Sequence, residues 1–146
     1  MELTRKADYA VRAMVYLAQQ PPGEVVQTRA ISQAQEIPET FLIKILQTLS
    51  KAGLVLTARG VQGGVQLALP PAQISLRRVV EAIEGPISLN RCALHPEYCG
   101  RSSHCPVHPV WAEVSALLAA KLESVTLAHI VQKGQQNHQF KSAGAL

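Results

Sequence analysis

The three cysteines of this chain are the residues whose types and spacing most clearly predict chemistry. Cys92, Cys99 and Cys105 lie within 14 residues and are the only cysteines in the sequence. An odd number of clustered thiols disfavours a disulfide framework and favours metal binding or thiol chemistry. The gaps of six and five residues are wider than the Cys-x2-Cys pairs of zinc fingers, and soft thiolates suit an iron–sulphur cluster. His95 and His104, in the same loop, are interpreted as solvated residues.

Three thiolates holding a cluster require a fourth ligand. His108 is the nearest candidate, because it follows Cys105 by three residues. Asp8 is the second, since in a dimer the first helix of one subunit would approach the loop of the other. An ordinary structural role for Asp8 is equally open, because a carboxylate near a helix start is favoured by the dipole and can pair with Arg12.

Other functions of the cysteine loop compete with the cluster. The same residues suit a cluster-free regulator in which the thiols oxidise or bind zinc. An enzyme using Cys99 or Cys105 as a nucleophile is disfavoured, because no oxyanion-forming glycine motif or third orienting residue accompanies them. A module that binds protein rather than DNA is a further alternative, since a fold alone does not determine function.

The first half of the chain predicts three helices. Thr4 is a suitable N-cap, and apolar residues then recur at helical spacing until Pro21. A second helix is predicted over 28–35, and Pro38 begins a third, which Gly53 ends as a C-cap.

A hairpin follows the third helix. Two short β-prone runs, 54–58 and 65–69, are joined by a loop with glycines at 60, 63 and 64. Three helices and a hairpin in this order are typical of a winged helix-turn-helix, with the third helix in the major groove and the hairpin as its wing. The expected fold is therefore mainly α with a small β-hairpin, and the DNA-binding domain spans residues 1–84.

Six residues are predicted to contact double-stranded DNA. They are Glu39, Thr40, Phe41 and Lys44 near the start of the third helix, with Arg59 and Gln62 in the wing. Base-edge contacts usually come from the N-terminal part of the recognition helix, and an arginine on a glycine-rich wing can enter a narrow minor groove. Phe41 is open to two interpretations, a contact with a thymine methyl group or a place in the core.

Charge supports an anionic partner. The net charge is +4, and residues 1–80 carry nine Lys or Arg against five Asp or Glu, whereas residues 81–146 carry five of each. The whole positive excess therefore lies in residues 1–80, which make up nearly all of the predicted DNA-binding domain, and this suits contact with phosphates.

The second half of the chain predicts a sensor loop and a dimerisation helix. A helix over 74–83 precedes the cysteine-bearing loop of residues 85–105, and Pro106 begins a long helix expected to run to residue 131. Its apolar residues recur every three or four positions, which predicts a seam for a second copy and hence a homodimer. Residues 132–146 are predicted to be a flexible tail. The absence of a leader segment and of a long apolar run predicts a cytoplasmic protein without membrane contact.

Together these motifs resemble the Rrf2 family of winged-helix regulators, which includes iron–sulphur regulators of the IscR and NsrR kinds. The resemblance runs from Met1 to about Val131. It rests on Leu3-Thr4, the run from Asp8 to Ala13, Leu46-x2-Leu49-x3-Gly53-Leu54-Val55, Arg59-Gly60-x2-Gly63-Gly64, the three-cysteine loop and Thr126-Leu127. It implies a homodimeric transcription factor that is not an enzyme and holds one 2Fe–2S or 4Fe–4S cluster per subunit. Cluster state would control DNA affinity in response to nitric oxide, redox state or iron supply.

The resemblance also bears on individual residues. Asp8 looks like the acidic residue that completes the cluster from the partner chain in nitric-oxide-sensing members, and His108 looks like the histidine ligand of the cluster-assembly regulators. The first cysteine gap is six residues where five is frequent, and Ile43 replaces a glutamate of the assembly regulator. An isoleucine and a carboxylate offer opposite chemistry to a base edge, so that regulator's promoter specificity does not carry over. The balance leans slightly towards an NsrR-like sensor.

Overall fold

The first three helices pack as the sequence predicts. The computed structural model describes residues 2–143, beginning with α1 (Arg5–Ala18), α2 (Thr28–Gln35) and α3 (Glu39–Lys51). The Thr4 hydroxyl accepts from the Ala7 N–H at 3.2 Å, so it caps α1. Periodicity and capping residues are therefore sufficient to locate this half of the fold.

The end of α3 determines where the wing begins. Gly53 has a φ of +73°, its N–H donates to Ser50 O at 3.0 Å, and the Leu54 N–H donates to Leu49 O at 3.0 Å. These two bonds form a Schellman motif, which satisfies carbonyl groups that the helix end leaves unpaired. The chain therefore turns directly from α3 into the first strand.

The wing is an antiparallel hairpin of β1 (Val55–Ala58) and β2 (Gly64–Leu67), in which Val55 pairs with Leu67 and Ala58 with Gly64. A bridge between Val26 and Val65 ties the hairpin to the segment before α2. This approach is close: a Cβ at Gly64 would lie 2.3 Å from Val26 O. The wing is thus fixed against the helices by backbone contacts.

The core joins the helices and the hairpin. Its fully buried members come from α1, α2, α3, both strands, α4 and α7, and include Met14, Ile31, Leu42, Ile45, Leu49, Val55, Val65, Val79 and Leu127. Because one apolar core supports α3 and the wing together, the predicted DNA-reading elements have a fixed relative position.

The second half contains α4 (Leu76–Glu84), the short α5 (Arg91–Leu94), α6 (His108–Glu123) and α7 (Leu127–Ala143), with 3-10 turns at Pro71–Gln73 and Pro96–Tyr98. Here the structure differs from the single helix predicted over 106–131, because the helix breaks at residues 124–126. The Leu76 N–H donates to Val125 O at 2.7 Å and the Leu127 N–H donates to Ile74 O at 2.9 Å. This short extended pairing with the start of α4 replaces helical hydrogen bonds. Thr126 then caps α7, accepting from the His129 N–H at 3.3 Å.

The segment predicted as a tail also differs. Residues 132–143 continue α7 rather than forming an irregular tail, while 144–146 lie outside the described residues. Within residues 2–143, no helix has the length and apolar character needed to cross a lipid bilayer.

Much of α6 presents apolar side chains to solvent in the single chain. The exposed ones are Val107, just before α6, and Val110, Val114, Leu117 and Leu118. Their spacing of three and four residues places them on one face. Trp111, whose spacing in the sequence places it in the predicted dimer seam, is half-buried in the single chain.

Candidate functional site

The first turn of α3 is an exposed surface. Glu39, Thr40 and Lys44 are exposed, as the DNA-binding prediction requires. Phe41 is 52% exposed, while its ring lies edge-on to Tyr9 with the centroids 6.5 Å apart. Phe41 is therefore not a core residue, since one edge packs on α1 and the rest faces outward, and its contact with DNA stays a prediction.

A groove of about 410 Å³ lies between α3 and the wing. Ile43 and Gln47 of α3 line one side, Thr57 and Arg59 of the wing line the other, and Thr28 of α2 lies at the same groove. Of the predicted residues, only Arg59 lines it; Gln62 lies in the exposed hairpin turn.

Three polar residues of this groove are not among those predicted from the sequence: Thr28, Gln47 and Thr57. Two have local signals. Gln47 follows Ile43 by four residues on α3, and Thr57 precedes Arg59 by two residues on the hairpin, spacings that place each pair on one side of its element. Thr28 has none, because only the packing of α2 brings it to the groove.

Arg12 of α1 contacts the turn of the helix-turn-helix. Its guanidinium donates to the Gln35 carbonyl oxygen at the end of α2, and its Nη1 lies 3.5 Å from Asp8 Oδ2. It also lies over the Tyr9 ring, 5.5 Å from the centroid. Glu36, the next residue of the turn, has a φ of +52°. One side chain thus joins Asp8 to the turn that precedes the recognition helix.

The cysteine loop crosses between α4 and α6. Cys92 lies on α5, Cys99 follows the second 3-10 turn and Cys105 lies just before α6. All three are free thiols and half-buried. In the described part of the chain, no three or more His, Cys, Asp or Glu side chains lie close enough together to hold one metal ion.

The histidines of the loop region differ in environment. His95 Nδ1 lies 3.1 Å from Glu97 Oε1 and His104 Nδ1 lies 2.7 Å from Ser103 Oγ, and both rings are exposed. His108 is half-buried, and its Nδ1 is buried without a hydrogen-bond partner among the described atoms. A buried polar atom without a partner is costly, so this ring nitrogen is available to a ligand.

The types of donor on this loop suit an iron–sulphur cluster, although the described structure does not bring three of them together. Three half-buried thiols on one loop are the ligands that such clusters use, and an imidazole with an unpaired buried nitrogen follows directly. Cys92, Cys99, Cys105 and His108 are therefore the residues suited to hold the group.

Comparisons with known sequences agree on one family. A family model described as Rrf2, iron-dependent transcriptional regulator, matches residues 3–133. A protein of Haemophilus influenzae named as an HTH-type transcriptional regulator is 36% identical over 133 residues, covering 91% of this chain and 88% of that protein. A Mycobacterium tuberculosis protein with the same kind of name is 36% identical over 138 residues, covering 94% and 86%.

Solved structures agree on the fold. T. potens IscR superposes with a TM-score of 0.76 at 28% identity, covering 94% of this chain and 90% of that chain. CymR (YrzC), the global cysteine regulator of B. subtilis, superposes with a TM-score of 0.74 at 24% identity, covering 91% and 98%. Each superposition covers more than nine-tenths of this chain, and so more than the predicted winged helix of residues 1–84.

Proposed function

Because this chain belongs to the Rrf2 family of DNA-binding transcriptional regulators, which are not enzymes, we propose that an iron–sulphur cluster on its cysteine loop controls its affinity for DNA. The cluster would be a 2Fe–2S or 4Fe–4S centre, one per subunit of a homodimer, and its signal would be nitric oxide, redox state or iron supply. When bound, it supplies a centre that reacts with oxidants or nitric oxide and whose assembly depends on iron.

The observation that carries the proposal is that one loop and the start of α6 carry three half-buried free thiols and a histidine with an unpaired buried nitrogen, although the described side chains do not converge on one point. Solvent-facing thiols would favour oxidation chemistry, and fully buried ones would favour ordinary packing. The description of the matched family as iron-dependent supports the same assignment, whereas the fold does not discriminate, because the chain superposes about equally on T. potens IscR and on CymR.

The environments of the two candidate fourth ligands favour His108. Asp8 is exposed and already pairs with Arg12 at 3.5 Å, so ligation would have to replace that contact. The buried Nδ1 of His108 has no competing partner among the described atoms. We therefore assign His108 as the fourth ligand and leave Asp8 to its contact with Arg12.

The DNA-contacting surface combines α3, the wing and the groove between them. In this proposal Glu39, Thr40, Phe41 and Lys44 would meet base edges in a major groove, and Arg59 and Gln62 would meet the adjacent minor groove. The hydroxyl and amide groups of Thr28, Gln47 and Thr57 suit phosphate oxygens, which position a protein on the duplex without reading sequence.

The dimer would form through the exposed apolar face of α6. A second copy is the occupant that suits this face, because Rrf2-family regulators typically dimerise and a two-fold contact pairs each apolar face with its equivalent. Each cysteine loop directly precedes α6, so a change in cluster state acts on the start of the helix that would set the spacing of the two recognition helices.

The deciding experiment is anaerobic purification followed by an absorbance spectrum and iron, sulphide and zinc assays on the same sample. A cluster gives colour with matched iron and sulphide. Affinity is then measured for a duplex that the loaded protein selects from a random library, before and after cluster removal. Cys92→Ala, Cys99→Ala and Cys105→Ala should each abolish the visible absorbance and change that affinity.

Other outcomes are equally specific. A colourless protein that fails reconstitution and carries about one zinc per chain would replace the proposal with a zinc site. A metal-free protein whose affinity changes on thiol oxidation would replace it with a thiol switch. Loss of the cluster in Asp8→Ala but not in His108→Ala would transfer the fourth position to Asp8.

A further inference from the structure

Ser115 is the only buried residue of α6, a helix that the structure describes in full, and is 6% exposed. Its hydroxyl donates to Trp111 O at 2.7 Å, one turn earlier in the helix, and accepts from the Leu89 N–H at 3.0 Å. A serine bond to its own helix is common, but the second bond crosses to the segment that leads into the cysteine loop. A buried hydroxyl with both its donor and acceptor capacity used fixes two elements together.

Asn90 makes a second connection to α6. The side-chain amide of Asn90 is oriented so that its oxygen and its nitrogen both have hydrogen-bond partners. Oδ1 accepts from Trp111 Nε1 at 3.1 Å, and Nδ2 donates to Leu89 O at 2.8 Å. Asn90 occupies the N-cap of α5, yet its side chain makes no capping bond there. An asparagine normally caps such a position, so its use against Trp111 indicates a tertiary role.

Cys92 directly follows this fixed stretch. On the α4 side, the Ile87 N–H donates to Glu81 Oε1 at 3.1 Å. The chain is therefore held at residues 87 and 89 through their backbone N–H groups and at residue 90 through its side chain, and Cys92 lies two residues further on. By contrast, every hydrogen bond described for residues 95–105 closes within six residues along the chain, as in Ser102 Oγ to Pro96 O at 2.7 Å.

We propose that Ser115, Trp111 and Asn90 form an anchor that holds the start of α5, and with it Cys92, against α6 before a cluster is bound, so that Cys92 is the fixed ligand and Cys99 and Cys105 move to meet the cluster. This rests on the proposed cluster function and adds positioning residues to it. A ligand ordered in advance removes part of the entropy cost of assembling the site. Removing the anchor should therefore shorten the cluster's lifetime without removing any ligand.

The first test uses the apo-protein and does not depend on a cluster. Amide hydrogen exchange is followed at Leu89 in wild type, Ser115→Ala and Trp111→Phe. Loss of the Ser115 hydroxyl should speed exchange at Leu89 by up to about tenfold, the factor that corresponds to one net hydrogen bond. Ser124→Ala is the matched control, because the Ser124 hydroxyl donates within its own stretch of chain, to Lys121 O at 2.8 Å. Unchanged exchange in Ser115→Ala would overturn the anchor.

The second test measures cluster lifetime after anaerobic reconstitution, from the decay of visible absorbance and the released iron. It is run well below the unfolding midpoint of each apo-protein, so that a general loss of stability does not affect the result. Ser115→Ala and Trp111→Phe should lose the cluster several-fold faster than wild type, while Ser124→Ala should match it.

The experiments distinguish a failure of the positioning role from a failure of the proposed cluster function. Faster exchange at Leu89 with an unchanged cluster lifetime would overturn the positioning role and leave cluster control intact. A wild-type protein that takes up no cluster would overturn both the proposed function and the ligand-positioning role, even if the exchange data showed that the anchor itself exists.

Discussion

Arg12 and Gln35 join the first helix to the turn of the helix-turn-helix, through a hydrogen bond from the Arg12 guanidinium to the Gln35 carbonyl oxygen. The same guanidinium lies 3.5 Å from Asp8 and over the ring of Tyr9, which in turn packs against Phe41 of the recognition helix. Arg12 therefore connects α1 to the DNA-reading turn, directly at Gln35 and through Tyr9 at Phe41. Changes at Asp8 and at Arg12 should have unequal effects.

Arg12→Ala should lower the free energy of unfolding by about 1–2 kcal/mol, because it leaves the Gln35 carbonyl without its charged donor. Asp8→Asn should cost less than about 1 kcal/mol, since the Asp8 and Arg12 side chains are 58% and 37% exposed and water screens their attraction. Denaturant titrations of both variants at equal protein concentration measure the difference. A larger loss of unfolding free energy for Asp8→Asn than for Arg12→Ala would contradict the prediction that the bond to Gln35 contributes more than the pair with Asp8.

Gly64→Ala should destabilise the wing by about 2 kcal/mol, the usual cost of overpacking. Its new Cβ would lie 2.3 Å from the Val26 carbonyl oxygen, and neither atom can move away by a side-chain rotation, because the Cβ is attached directly to the backbone and the oxygen is part of it. Gly134→Ala is the matched control, because a Cβ added there would meet no described atom within 4 Å and the site is inside α7. That control should gain up to about 1 kcal/mol from better helix propensity. Thermal unfolding measures the change in stability of each variant. Equal changes for Gly64→Ala and Gly134→Ala would show that Gly64 does not fix the wing.

The helices of the DNA-binding half can be predicted because their signals are local. Thr4 caps α1 as expected, and Gly53 ends α3 through bonds that involve only Leu49, Ser50 and Leu54. The exposure of Glu39, Thr40 and Lys44 also follows from the helical period of the buried leucines and isoleucines around them.

The break between α6 and α7 cannot be predicted in this way. Residues 124–126 contain neither proline nor glycine, and the break is set by pairing with Ile74 and Leu76, some fifty residues earlier. The bond between Trp111 and Asn90 cannot be predicted either, because the spacing of Trp111 fits an apolar stripe while Asn90 belongs to another element. Both features depend on contacts between residues that lie far apart in the sequence.

Arg59→Ala should weaken binding to a selected duplex by roughly 5- to 150-fold, corresponding to about 1–3 kcal/mol, if the wing enters the minor groove. The dependence of log affinity on log salt should become shallower by about one unit, because one cation no longer displaces counterions. Lys133→Ala removes the same charge from α7, away from the wing, and should leave both quantities unchanged. DNA-binding titrations of both variants at several salt concentrations measure the affinity and its salt dependence. Equal effects of the two substitutions would show that Arg59 does not contact DNA.

Leu118→Glu should convert the proposed homodimer into monomers. Leu118 lies on the exposed apolar face of α6 and is 40% exposed in the single chain. In a two-fold interface the substitution occurs twice, so two carboxylates would lose water without gaining partners. Sedimentation should give twice the chain mass of 15.8 kDa for wild type and 15.8 kDa for the variant. Leu56→Glu, a change at a 52% exposed leucine of β1, should remain dimeric, and a dimeric Leu118→Glu variant would place the interface elsewhere.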